Sequence, residues 1–202
     1  MSARQRRTDL ATHVIRRVSR LLYKGAMNWN SGPRPLNPNL YGKTDRSRIA
    51  FRERATSCVV DMRSHNRAAS YSAERIAHDG IAWGCGNCGE HAAVAFHVLA
   101  TETEERPVDV FEWYLNDEHN HAFVVIGLPA GYARPEECAD RDVVVCDPWL
   151  ERAAPGYGVF GIEQLDARFQ FAFGSSIRAP GSAYTAHQRL EATRVRAAGA
   201  GR

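Results

Sequence analysis

Along residues 8–24, TDLATHVIRRVSRLLYK, the apolar positions Leu10, Val14, Ile15, Val18, Leu21 and Leu22 recur every three or four residues, and arginines fill the other side. That period predicts an amphipathic helix. The stretch 28–42, NWNSGPRPLNPNLYG, breaks it with Asn, Pro and Gly and reads as a linker. Helical spacing returns over 46–64 through Ile49, Phe51, Ala55, Cys58, Val59 and Met62. A short helix is expected over 72–80, SAERIAHDG, with Ser72 as its cap and Gly80 as its stop. From Cys88 onward Ala92, Ala95, Phe96 and Leu99 mark a further helix that must end before Pro107.

After Pro107 the period changes to two. VDVFEWYL, residues 108–115, alternates as a strand does. HAFVVIGL, 121–128, is nearly all apolar and predicts a strand buried on both faces, and DVVVCDPW, 142–149, predicts another. GIEQLDARF, 161–169, reads as a short helix, and QFAFG, 170–174, as a last strand. Helices followed by strands, with no internal repeat, predict an α+β fold with an antiparallel sheet.

Composition narrows the class. The chain has 202 residues, 44% of them hydrophobic, which suits a packed domain with a real core. No apolar run reaches the ~20 residues of a membrane span. No apolar stretch of the secretory type opens the chain. The net charge is only +3, but residues 1–44 hold nine Lys/Arg against one acid, Asp9. This divides the chain into a basic helix and linker (1–44), a central domain (45–178) and a basic, flexible tail (179–202). The basic helix suits packing on the domain or contact with an anionic membrane. Nucleic acid is not expected, because no basic-aromatic platform accompanies the charge. Five cysteines is an odd number without framework spacing, so mostly reduced thiols and a cytoplasmic setting are expected.

The candidate chemistry sits in GCGNCGEH, residues 84–91. Cys85, Cys88 and His91 have the types of zinc ligands, with Cys138 or Cys146 as a fourth, but a second well-spaced pair is missing. Cys85 and Cys88 match a Cys-x-x-Cys redox motif, but no strand precedes them. As a third reading, Cys88 is a nucleophile. A thiol at a helix N-terminus is favoured as thiolate by the macrodipole and the unpaired N–H groups. Gly86 and Gly89 leave room beside it, and its own N–H is aimed to help form an oxyanion hole. This reading needs a histidine base and a group to orient it. His121 opens the strand 121–128 and Asp147 closes the strand 142–149, so antiparallel pairing of the two sets them side by side. His119 ranks second as base, His91 and His97 read as the wet and packing faces of the Cys88 helix, and Glu90 reads as a macrodipole partner. Cys146 should face away from Asp147. Trp83 and Trp149 bracket the set, as cleft walls or as core.

GNCGEHAAVAFHVL, HAFVVIG and VVVCDPW together resemble the papain-like and transglutaminase-like Cys-His-Asp superfamily, closest to bacterial effector and toxin domains. The resemblance spans about residues 80–150. It implies a central helix carrying Cys88, packed on an antiparallel sheet carrying His121 and Asp147. It implies acyl transfer on a protein amide through a thioester, without a cofactor or metal, as a thiol protease, glutamine deamidase or transglutaminase. It also implies export into a host cell. Where papain-like proteases often carry a glutamine oxyanion donor, this chain has Ala82, which leaves Asn87, the Trp83 indole, Trp149 or a further backbone N–H for substrate and oxyanion contacts.

Overall fold

A computed structural model describes residues 1–25, 45–65, 72–116, 119–173 and 176–190, without the side chains of 45–52 and His119. The linker read over 28–42 and residues 191–202 of the tail lie outside the described residues, as does the His119 side chain. Six α-helices and a five-stranded antiparallel sheet are described, an α+β fold: α1 (Ala3–Leu21), α2 (Asp45–His65), α3 (Ala73–Trp83), α4 (Cys88–Glu102), β1 (Val108–Asn116), β2 (His119–Ile126), β3 (Val144–Cys146), α5 (Pro148–Ala153), β4 (Val159–Gly161), α6 (Leu165–Phe173) and β5 (Ala183–Leu190). The strand order is β4-β3-β2-β1-β5, so β2, with its continuous apolar run over 122–126, is central.

The sheet separates two cores, and strand alternation decides which residue joins which. Val108, Val110, Ala122, Val124, Ile126, Val144 and Cys146 face α1, α3 and α4. Phe111, Trp113, Phe123, Val125 and Val145 face α5 and α6. Cys146 points away from the Asp147 side, as the alternation requires.

The helices α2 and α4 and strands β1 and β2 match the sequence reading closely. Elsewhere it is corrected. Helix α3 runs past Gly80, which is buried inside it, and stops at Gly84 in the left-handed region (φ 73°). Strand β3 covers only 144–146 because Asp147 caps α5 and Pro148 occupies its first turn. QFAFG is no strand. Leu165, Phe169 and Ala172 recur at helical spacing and bury one face of α6 against the second core.

The expected divisions at 44/45 and 178/179 do not mark breaks in packing. Helix α1 buries Ala11, Val14, Ile15 and Val18 in the same core as α4. Its arginines are partly committed to the domain: Arg4 pairs with Glu163, Arg7 with Glu105 and Arg17 with Glu102. Arg16 and Arg20 stay exposed. Residues 183–190, expected in a flexible tail, pair with β1 as the edge strand β5. Among the described residues no helix is long and apolar enough to cross a membrane.

Candidate active site

The turn before Cys88 is held from two sides. The segment that follows α1 runs beside it: the Lys24 N–H donates to the Gly84 carbonyl (2.8 Å), the Gly86 N–H donates to the Gly25 carbonyl (3.1 Å), and Gly25 and Cys85 form a parallel bridge. From the other side, Cys58 of α2 is disulfide-bonded to Cys85. The expectation of reduced thiols therefore fails for these two, while Cys88, Cys138 and Cys146 are free. The Cys85 sulfur is committed to Cys58, which removes it both from the Cys85–Cys88 redox pair and from the thiolate ligand set. Their separation of 27 residues hid the pairing, since Cys58 looked like one more apolar position on its helix.

Helix α4 then begins. Asn87 is its N-cap and Glu90 closes a capping box, its carboxylate accepting the Asn87 N–H at 2.7 Å. Most of α4 lies in the first core, but Cys88 belongs to the second. The helix N-terminus thus reaches the strand ends where the two cores meet, and His121 and Asp147 stand there.

His121 and Asp147 share the face of Phe123 and Val145. The register aligns Val124 with Cys146, so the start of β2 lies beside the end of β3. His121 Nε2 is 2.6 Å from Asp147 Oδ2, and Cys88 is a close enough neighbour of the ring to act on its charge. With Nε2 engaged by Asp147, Nδ1 is the ring nitrogen that Asp147 does not hold. Relative exposures are 8% for Cys88, 1% for His121 and 0% for Asp147. Burial opposes a charged imidazole, but the Asp147 charge and its hydrogen bond, helped by Cys88, outweigh it and raise His121 to about 10. Asp147 Oδ1 accepts the Leu150 N–H at 2.9 Å, so the same carboxylate orients the histidine and caps α5.

Aromatic rings fix the imidazole. Trp149 lies 5.0 Å and Phe173 4.9 Å from the His121 ring centroid, and Phe123 and Phe169 complete the surround. Trp149 therefore walls the site from within and is a core residue as well, buried at 4% exposure. Phe169 and Phe173 were missed because the sequence reading splits one helix into a short helix ending at 169 and a strand over 170–174. Trp83 is not part of the wall. It packs beside the Cys58–Cys85 cluster and against His65.

Three other readings change. Gly86 does not face open space: a Cβ there would sit 2.2 Å from the Glu90 Cβ. Gly89 does, with nothing within 4 Å of the same construction, so the approach to Cys88 is open on that side. His91 is buried, not wet, and His97 is only partly buried. His91 Nδ1 lies 2.8 Å from the Asn87 carbonyl, and its buried Nε2 meets no hydrogen-bond partner. Burial, with help from Arg152, lowers His91 to about 4 against the opposing pull of its hydrogen bond and of Glu90 and Asp147. Cys146 is no rival nucleophile, because burial and the Asp147 charge hold its thiol well above the ordinary range.

Taken together, a sulfur at a helix N-terminus, a neighbouring imidazole and a buried carboxylate behind it are the groups needed to transfer a proton from thiol to ring and return it to a leaving group. Comparison of the sequence with models of known protein families, with curated proteins and with solved structures finds no match.

Proposed function

We propose that this chain is a thiol-dependent amide hydrolase or acyltransferase of papain-like or transglutaminase-like type, acting on a protein substrate. One observation carries the reading: the buried His121 ring has Nε2 2.6 Å from the Asp147 carboxylate and Cys88, at the start of α4, as a close neighbour. Cys88 Sγ attacks the carboxamide carbon, and the carbonyl electrons move onto oxygen. The Cys88 N–H at the start of α4 faces that developing charge. When the C–N bond breaks, His121 gives its proton to the departing amine or ammonia, leaving a thioester. His121 then takes a proton from water, which attacks the thioester, releases the acid and regenerates the thiol. An amine in place of water gives transamidation. Peptide cleavage, glutamine deamidation and transamidation are the three outcomes this chemistry allows, and the products separate them. The Cys58–Cys85 disulfide favours passage through or work in an oxidising compartment, in keeping with an exported protein.

The test uses β-casein as a glutamine-rich acceptor, with and without a fluorescent primary amine, followed by intact-mass spectrometry. Deamidation replaces NH2 by OH, transamidation attaches the amine, and proteolysis shortens the chain. Any of the three, lost in Cys88→Ala and in His121→Ala, supports the reading. The same reaction persisting in Cys88→Ala overturns it, as does Cys88 alkylating no faster than Cys138 or Cys146.

A further inference from the structure

We infer that Glu90 and Arg63 act as a charge-balanced positioning pair for Cys88, with Glu90 fixing the turn that aims the sulfur and Arg63 cancelling the charge this places beside it. The inference rests on the proposed role of Cys88.

Glu90 is the third residue of α4 and is buried at 6% exposure. Its Oε2 accepts the Asn87 N–H at 2.7 Å. That bond holds the Gly86–Asn87 peptide, one step before Cys88, and so fixes how the chain enters the helix that Cys88 opens. The turn closes tightly on this side chain, since Gly86 has no room for a Cβ against it. A neutral glutamine completes a capping box equally well. A carboxylate adds a buried negative charge two residues from the sulfur, where thiolate has to form, and like charges oppose each other strongly in such a setting.

Arg63 resolves the conflict. It arrives from α2, with Nε 2.9 Å from Oε1 and Nη2 3.0 Å from Oε2 of Glu90. The two-pronged contact satisfies both carboxylate oxygens and removes the net charge. Helix α2 thus touches the nucleophile turn on both sides, through Cys58 before Cys88 and through Arg63 after it. Among the described residues, His121 on β2 and, behind it, Asp147 at the end of β3 also face this end of α4, while His91, one turn along α4, feels Arg152, Glu90 and Asp147. His121 and Asp147 already supply one balanced pair, and Arg63 with Glu90 is a second.

The experiment follows Cys88 alkylation by iodoacetamide against pH, residue by residue in the mass spectrometer, on the full chain. The variants are Arg63→Ala, Arg63→Lys, Glu90→Gln and the double variant Arg63→Ala/Glu90→Gln, with thermal melts to confirm folding. Arg63→Ala leaves the Glu90 charge unbalanced. Its profile moves to higher pH, and the rate at pH 6 falls about 3–10-fold. Arg63→Lys, which keeps the charge, recovers part of that loss. Adding Glu90→Gln to Arg63→Ala removes the charge itself and brings the profile back toward wild type. The proposal fails if Arg63→Ala leaves the profile in place, or if the double variant stays as slow as Arg63→Ala. His121→Ala serves as the separate check. If it leaves Cys88 alkylation unchanged, the catalytic reading has failed. If it slows alkylation while Arg63→Ala does not, only the role of this pair has failed.

Discussion

His121 Nε2 and Asp147 Oδ2 stand 2.6 Å apart, with both side chains almost wholly removed from solvent. A buried carboxylate is costly alone and stabilised by a cationic partner. Asp147→Asn keeps the shape and removes the charge, so the imidazolium loses its main support. The expected outcome is a fall of at least about tenfold in Cys88 alkylation at pH 6. Site-resolved mass spectrometry of wild type and variant measures it directly.

Asp147 has a second duty that separates two substitutions. Its Oδ1 accepts the Leu150 N–H and caps α5. Asparagine keeps that acceptor and alanine does not. Asp147→Ala is therefore expected to unfold at lower denaturant than Asp147→Asn, by about 1 kcal/mol, the usual worth of an N-cap. Equal midpoints in urea would show that the cap contributes nothing here.

Two buried histidines act on stability in opposite pH directions. Folded His91 takes its proton only near pH 4, whereas in the unfolded chain it does so near 6.5. The unfolded state then binds more protons between those values, and stability is lost as pH falls through that window, by about 3 kcal/mol in all. Folded His121 keeps its proton up to about 10. Its contribution is whole below about 6.5 and fades as pH rises toward 10. Urea melts at pH 4.5, 6.5 and 9 should peak in the middle. His91→Asn should flatten the acid side alone.

Gly89 and Gly86 flank Cys88 but stand in different surroundings. A methyl at Gly89 meets nothing, and alanine suits a helix better than glycine by about 0.5–1 kcal/mol. Gly89→Ala should raise the melting temperature slightly while crowding the approach to the sulfur. A methyl at Gly86 collides with the Glu90 side chain, so Gly86→Ala should lower the melting temperature and slow Cys88 alkylation. Thermal melts paired with alkylation rates distinguish the two effects.

The Cys58–Cys85 disulfide closes a loop across a separation of 27 residues. Its removal in Cys58→Ser/Cys85→Ser should cost about 3–4 kcal/mol by the entropy of loop closure. Equilibrium unfolding of both proteins without reductant gives the difference.

Much of this site was legible in the chain, for reasons of period. Alternation with a period of two put His121 and Asp147 on one face once their strands paired antiparallel, and sent Cys146 to the other. Helical spacing after Cys88 marked the helix that this residue opens. The Asn-x-x-Glu pattern at 87–90 is itself a capping signature, so the buried role of Glu90 left a trace that the macrodipole reading passed over. Asp147-Pro148 likewise carried a helix-start signal beneath its reading as a strand end.

What the sequence by itself determined is local: which segments are helix or strand, which side chains share a face, and the order Cys88, His121, Asp147. What only the tertiary structure decided is non-local. It chose Cys58 as the partner of Cys85, brought Arg63 onto Glu90, packed α1 into the core instead of leaving it as an appendage, and made QFAF part of a helix whose Phe169 and Phe173 close over His121. Period fixes the direction of a side chain along its own element. The identity of its neighbour depends on how separate elements bury their apolar faces together, and no local spacing records that choice.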